Sequence, residues 1–170
     1  ARTNTAPCFQ AVPLDTVVSD QWNTECTSVS FDDHYARYYT LVVPSDQIVT
    51  ITLSSATNAY LVLRAGATQL GATVASDDNS GPGLDARIAQ RLRAGTYNVE
   101  VTTTAGGQLG AYQLTARTNS TPCFQTLPLD TVVPDAWTTA CSSVSFDDHY
   151  AKYYTLTVDQ GQIVTLALSS

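Results

Sequence analysis

Methionine is absent from this 170-residue chain, lysine occurs once, at Lys152, and glutamate only at Glu25 and Glu100. The straight-chain residues that build most helices are therefore nearly missing, which excludes a helical bundle or a coiled coil. The single lysine excludes Lys–Asn isopeptide bonds as a general reinforcement, because Arg37 takes its place in the other copy of the repeat described next. Positive charge is scarce too: 8 Lys and Arg against 15 Asp and Glu leave a net charge of −7. No cationic stripe is available to displace counterions from nucleic-acid phosphate, and an anionic membrane surface would repel the chain. No apolar run approaches the roughly 20 residues that span a bilayer, so no membrane insertion is expected. No signal peptide is visible, as expected of a mature or internal fragment.

What the chain does have is itself, again. Residues 1–55 recur at 116–170 with a constant offset of 115, and 39 of the 55 aligned positions are identical without an insertion or deletion. The order is one half-unit (1–55, half A), a second half-unit (56–115, half B), then half A once more. A period of 115 residues exceeds the roughly 20–50 of a solenoid turn and matches a whole small domain. The expected organisation is one complete repeat over 1–115 and the first half of the next over 116–170, a window onto a longer tandem array. Which half A closes with half B is left open by the sequence.

Thr and Ser together number 39, and Val, Tyr and Asp are frequent, which is the chemistry of strands and turns. Strand patterns fall at 38–43, 48–54, 59–64, 73–76, 87–92, 96–103 and 111–116. In the first, Tyr39, Leu41 and Val43 share one face. Val42 becomes Thr157 in the second copy, which marks its face as exposed. About seven short strands without helical periodicity predict an all-β fold, an antiparallel β-sandwich or jelly-roll repeated in tandem every 115 residues. Between Leu114 and Cys123 no Gly/Ser-rich spacer occurs, and Pro122 and Pro128 stiffen the join. Neighbouring units should therefore hold a fixed orientation.

The four cysteines, Cys8, Cys26, Cys123 and Cys141, fall two per unit at identical phase. They do not offer the clustered ligands of a zinc site. A disulfide within each unit is expected; a bridge between neighbouring units and free buried thiols are the alternatives. Disulfides imply an oxidising compartment, hence an extracellular or cell-surface location.

The segments Trp137–Cys141 and His149–Leu156 resemble the bacterial pre-peptidase C-terminal domain. So do Ala59–Arg64, Asp77-Asp78-Asn79, Leu84–Ile88, Ala94–Val101 and Gly110–Thr115. The resemblance implies a secreted, non-catalytic β-sandwich of the kind appended to peptidases and surface proteins, supporting secretion, adhesion or polymer binding. The usual setting differs in one respect. Here the domain follows itself in near-identical sequence, with no peptidase within these 170 residues, and an array is expected rather than an accessory role.

Candidate chemistry is sparse. Asp77, Asp78 and Asn79, with Asp85 beyond them, form the densest oxygen cluster and could serve calcium, although the spacing is not that of an EF-hand and turn capping explains the same residues. His34 and His149 each follow an Asp-Asp pair, but no nucleophile elbow and no HExxH accompany them. No enzymatic activity or cofactor is expected. Asn119-Ser120-Thr121 is the one N-x-S/T sequon, and Thr102, Thr103 and Thr104 are candidates for O-linked glycans. Trp22, Trp137 and the pairs Tyr38-Tyr39 and Tyr153-Tyr154 could form a carbohydrate platform, or could be core. The expected function is that of a structural repeat in an extracellular prokaryotic filament or surface fibre, whose partners are neighbouring copies of itself. The alternative is an adhesin stalk or a polymer- or carbohydrate-binding accessory domain of a secreted enzyme.

Overall fold

The computed structural model describes residues 8–119, 123–146 and 149–169. Every regular element among them is a strand: β1 (Phe9–Ala11), β2 (Val17–Trp22), β3 (Arg37–Val43), β4 (Gln47–Ser55), β5 (Ala59–Ala65), β6 (Thr73–Asp77), β7 (Ala86–Leu92), β8 (Gly95–Thr103), β9 (Gly110–Thr118), β10 (Phe124–Thr126) and β11 (Tyr153–Thr155). β1 to β9 make two packed sheets, ordered β1-β3-β8-β5-β6 and β2-β9-β4-β7. Half B pairs throughout with the first half A: β8 lies along β3, and β9 lies between β2 and β4.

The alternation read from the sequence places the core. Tyr39, Leu41, Val43, Val99 and Val101 point inward from the first sheet, and Val49, Ile51, Leu53, Ile88 and Leu114 meet them from the second. Val42 is exposed, as its replacement by Thr157 indicates. Tyr38 departs from the pattern, being buried although it faces away from that core. A lobe formed by residues 8 and 26–36 folds over the outer surface of the first sheet, and Cys8, Cys26, Ala36 and Tyr38 make a second, smaller core there.

Two sequence expectations need correcting. The fold is not wholly antiparallel: β1 runs parallel to β3, Phe9 opposite Tyr38, and the same parallel pairing recurs between β10 and β11 with Phe124 opposite Tyr153. The intervening residues form the disulfide lobe and β2 in the opposite sheet, a crossover long enough to return the chain in the same direction. In the second copy, the equivalent of the 38–43 strand extends only from Tyr153 to Thr155, and the equivalent of the 48–54 strand does not form among the described residues of 163–169. The equivalents in the first copy are held by β7, β8 and β9; among the described residues no such strands lie beside 153–169.

Strand β9 runs through the sequence-repeat boundary. Ala116, Arg117 and Thr118, the first three residues of the second copy, pair with Ile51, Thr50 and Val49 of β4. Asp15, in a left-handed turn (φ 60°), receives the Thr118 N–H at 2.9 Å and its hydroxyl at 3.0 Å. Asp130, its equivalent, is left-handed too (φ 56°).

Both expected disulfides are present, Cys8–Cys26 and Cys123–Cys141, and no free cysteine occurs among the described residues. Each closes a sequence separation of 18. Reducing Cys8–Cys26 should cost the sandwich about 3 kcal/mol by freeing its unfolded chain. Guanidinium denaturation with and without reductant checks this, and an unchanged midpoint would contradict it.

Candidate functional site

The oxygen-rich loop uses its oxygens on its own chain. Asp77 accepts hydrogen bonds from the Ser80 N–H (3.0 Å), the Ser80 hydroxyl and the Arg87 N–H (2.7 Å). Asp85 accepts from the Ser54 hydroxyl at 2.6 Å and the Ser55 N–H at 3.2 Å, and Asp78 accepts from the Asn79 amide at 3.0 Å. Gly81 is required here, since a Cβ would come within 2.7 Å of the Asp85 carbonyl oxygen. The carboxylates considered for calcium thus accept local hydrogen bonds, Asp77 and Asp78 in the 77–80 turn and Asp85 from the end of β4, and among the described residues no group of three or more His, Cys, Asp or Glu is gathered for a metal.

The other candidates also find local uses. His34 Nδ1 lies 2.6 Å from the Asp32 main-chain oxygen, and its ring packs against Phe31. His149 lies among described residues, but its neighbours Asp147 and Asp148 lie outside them. Trp22, Tyr38 and Tyr39 are buried and present no platform for sugars. Thr102 and Thr103 are buried, with hydroxyls donated to the Tyr35 and Ala105 carbonyls at 2.8 Å, so O-linked sugars on them would have to open the sheet. Thr104 is exposed.

The arrangement that sequence reasoning missed is a buried polar lock between the two halves. Asn98, Glu100 and Thr102 alternate along β8 like a solvent-facing row, yet all three are fully buried, Glu100 and Thr102 under the half A lobe. The Glu100 carboxylate accepts the Ser28 and Ser30 hydroxyls at 2.5 Å each, together with the Val29 N–H at 3.2 Å. Arg64, from β5, completes it at 3.2 Å. A carboxylate taken out of water is tolerated only with such pairing and hydrogen bonding. The available signal was rarity: Glu100 is one of two glutamates, and it sits in the middle of a Val-rich strand.

A second network crosses the sandwich. The Tyr39 hydroxyl donates to Asp20 at 2.8 Å and lies 2.7 Å from the Tyr112 hydroxyl, while Arg37 sits 3.7 Å from Asp20. Burial pushes the Tyr39 hydroxyl above the ordinary tyrosine range, although its bond to Tyr112 works the other way. Tyr112 is pushed up as well, first by burial and then by Tyr39. Both groups hold their protons more tightly folded than unfolded. Their contribution is complete below the unfolded tyrosine value of about 10 and is lost as pH rises above it. Denaturant midpoints should therefore fall as pH rises from about 10 to 12, and less steeply in Tyr112→Phe; equal slopes would contradict this.

The second copy rebuilds the first lobe in detail. Gln125 donates to Asp135 at 3.0 Å as Gln10 does to Asp20, and Tyr154 donates to Asp135 at 2.7 Å as Tyr39 does to Asp20. Ser143 Oγ accepts the Ser145 and Phe146 N–H groups at 3.1 and 3.2 Å, matching Ser28 with Ser30 and Phe31 at 3.0 and 3.1 Å. What differs is the core face. Trp22, Ile51 and Leu53 are 2, 0 and 0 % exposed; Trp137, Leu166 and Leu168 are 62, 68 and 88 % exposed.

This lobe rests on the outer face of the β2-β9-β4-β7 sheet. Ser142 Oγ receives the Thr50 hydroxyl at 2.8 Å and the Arg87 guanidinium at 2.6 Å. The Asn119 side chain grips the Ser142 main chain, donating to its oxygen at 3.1 Å and accepting its N–H at 3.3 Å. Arg87 also lies over the Tyr150 ring, 6.0 Å from its centre. Asn119, the sequon asparagine, is buried, so a glycan on its Nδ2 would have to break this contact. Ser120 and Thr121 lie outside the described residues.

Comparison with known proteins places these sheets. The family model of the bacterial pre-peptidase C-terminal domain matches residues 35–103, from the end of the lobe through β8. The pre-peptidase C-terminal domain of a collagenase from Bacillus anthracis is 17 % identical, with a TM-score of 0.51, over 68 % of this chain and 98 % of that one. At that identity the likeness is one of fold. PliG from Aeromonas hydrophila, a periplasmic inhibitor of g-type lysozyme, matches at 14 % identity over 65 % of this chain and 96 % of its own, with a TM-score of 0.45. CsCBM6-3 from Clostridium stercorarium, solved with cellobiose, matches at 8 % over 62 % and 93 %, with a TM-score of 0.34. No curated protein matches the chain.

Proposed function

We propose that this chain is non-catalytic structural material of an extracellular prokaryotic filament or cell-surface fibre, built from disulfide-stapled β-sandwiches in a head-to-tail array. In this reading residues 116–170 are the first half of another sandwich, and copies of the unit are each other's partners. The observation that carries it is the second lobe. It keeps the disulfide, the parallel strand pair and the serine loop of the first, while the face that half B covers in the first copy stands open. Near-identical units make equivalent contacts, and a contact between unlike surfaces that does not close on itself generates a filament. Electron microscopy of the native material, with an intact-mass profile, tests the reading. Long rods with a regular axial repeat and a mass far above 18.2 kDa are expected; monodisperse particles of modest mass would sink it.

A second reading, an adhesin stalk or polymer-binding accessory domain of a secreted enzyme, draws support from the family match over residues 35–103. A catalytic or adhesive domain on the native polypeptide, found by mass mapping, would favour it.

A further inference from the structure

We infer that Ser142 is the hub of a polar joint that fixes the angle between the sandwich and the lobe that follows it, with Thr50, Arg87 and Asn119 as its socket. The inference rests on reading 116–170 as the start of a following unit and names the surface by which one unit holds the next.

Three adjacent strands converge on this one residue. Thr50 comes from β4, Arg87 from β7, and Asn119 directly continues β9, with its own N–H bonded to the Ile48 oxygen at 3.1 Å. Together they engage the main-chain N–H, the main-chain oxygen and the hydroxyl of Ser142. A single hydrogen bond leaves a pivot. Attachments from three directions remove translation, and the Tyr150 ring over Arg87 supplies a second point that opposes rotation about Ser142. The hub is 3 % exposed, so these bonds are sheltered from competing water.

The surroundings explain why directional bonds are needed. A cleft of about 580 Å³ opens beside the contact, lined by Arg117, Thr52, Thr115 and Thr139 as well as the socket. The interface is therefore polar and open, the kind that alone leaves neighbouring domains free to move. Orientation has to come from the hub.

The repeat provides an independent line. Positions 27 and 142 are among the 16 that differ between the copies, and the change is Thr27 to Ser142, which keeps the hydroxyl. Tyr35 and Tyr150, Asn4 and Asn119, and Thr50 and Thr165 are identical pairs. The isolated bridge that presents the hub is repeated as well, Thr27 with Tyr35 and Ser142 with Tyr150. Both copies thus carry the parts of the same plug.

The test uses the full chain with spin-labelled amino acids at two exposed sites, Val42 on the first sandwich and Thr126 on β10, read by dipolar electron resonance. The unaltered joint should give one narrow distance distribution, and both Thr50→Val/Arg87→Ala and Asn119→Ala should broaden it. Exchange of the Ser142 amide should quicken about five- to tenfold in Asn119→Ala. In a Trp137→Phe background, Trp22 emission should stay that of a buried indole in both variants, and a variant that loses it is set aside for the other. A broad distribution in the parent chain, or variants as narrow as the parent, would overturn the joint. Neither result depends on whether native rods exist, so the filament reading stands or falls separately by microscopy.

Discussion

Trp22→Ala is expected to cost the sandwich about 3–5 kcal/mol, whereas Trp137→Ala in the same chain should change its stability by less than about 0.5 kcal/mol. The two tryptophans are equivalent in sequence, and their neighbours decide the difference. Trp22 packs against Tyr112 with the rings tilted by 41° and their centres 4.6 Å apart, donates Nε1–H to the Val101 oxygen at 3.0 Å, and is almost wholly buried. Tyr112 and Val101 belong to half B, so removing the indole leaves a cavity between the two halves and removes its bond to the Val101 oxygen. Trp137 has no half B against it. Denaturant titration of the two variants, followed by circular dichroism, reads both values. The contrast also tests the proposed organisation: in a chain extended after Ser170 by a second copy of 56–115, Trp137→Ala should become as costly as Trp22→Ala. If Trp137→Ala remained harmless there, residues 116–170 would not be the start of a second sandwich.

Glu100→Ala should be of similar severity, about 3–5 kcal/mol, because it breaks a buried charge pair by removing one partner. Arg64 would lose its carboxylate, with its side chain only 13 % exposed, and the Ser28 and Ser30 hydroxyls would lose their acceptor. Glu100→Gln keeps the shape and an acceptor oxygen and should cost less. Replacing both charges, Glu100→Leu with Arg64→Met, should cost less than the two single changes added together. A loss below about 1 kcal/mol for Glu100→Ala would mean that the lobe sits on β8 without this lock.

Most of the sandwich was legible because strands buried on one face alternate, and comparison of the copies at Val42 and Thr157 identified the exposed side. β1 and β2 were not legible. Phe9–Ala11 is only three residues long, and Val17–Trp22 carries Ser19, Asp20 and Gln21 in an edge strand, so neither offers a hydrophobic period. The role of Glu100 was not legible for a related reason. Alternation reports which residues share a face but not whether a lobe covers that face, and covering depends on a disulfide loop some 70 residues away in sequence. The sequon at Asn119 pointed to a modified surface residue, while the structure folds that amide into the contact with Ser142. Short sequence patterns record the residue type alone; the hydrogen bonds that engage Asn119 come from a segment 23 residues later.

The Cys8–Cys26 bridge also dictates how such a chain would carry tension. A pull entering from the N-terminal side at Cys8 passes directly through the sulfur pair to Cys26, so residues 9–25, with β1 and β2, lie outside the loaded path. Force reaches β3 first and leaves through β9, which is clamped lengthwise between β2 and β4 and must be sheared rather than unzipped. When a unit yields, the bridge withholds 18 residues of slack, about 60 Å of contour length at full extension. A stretched molecule would therefore lengthen in steps visibly shorter than its 115-residue period predicts, and a reducing agent would restore the missing length.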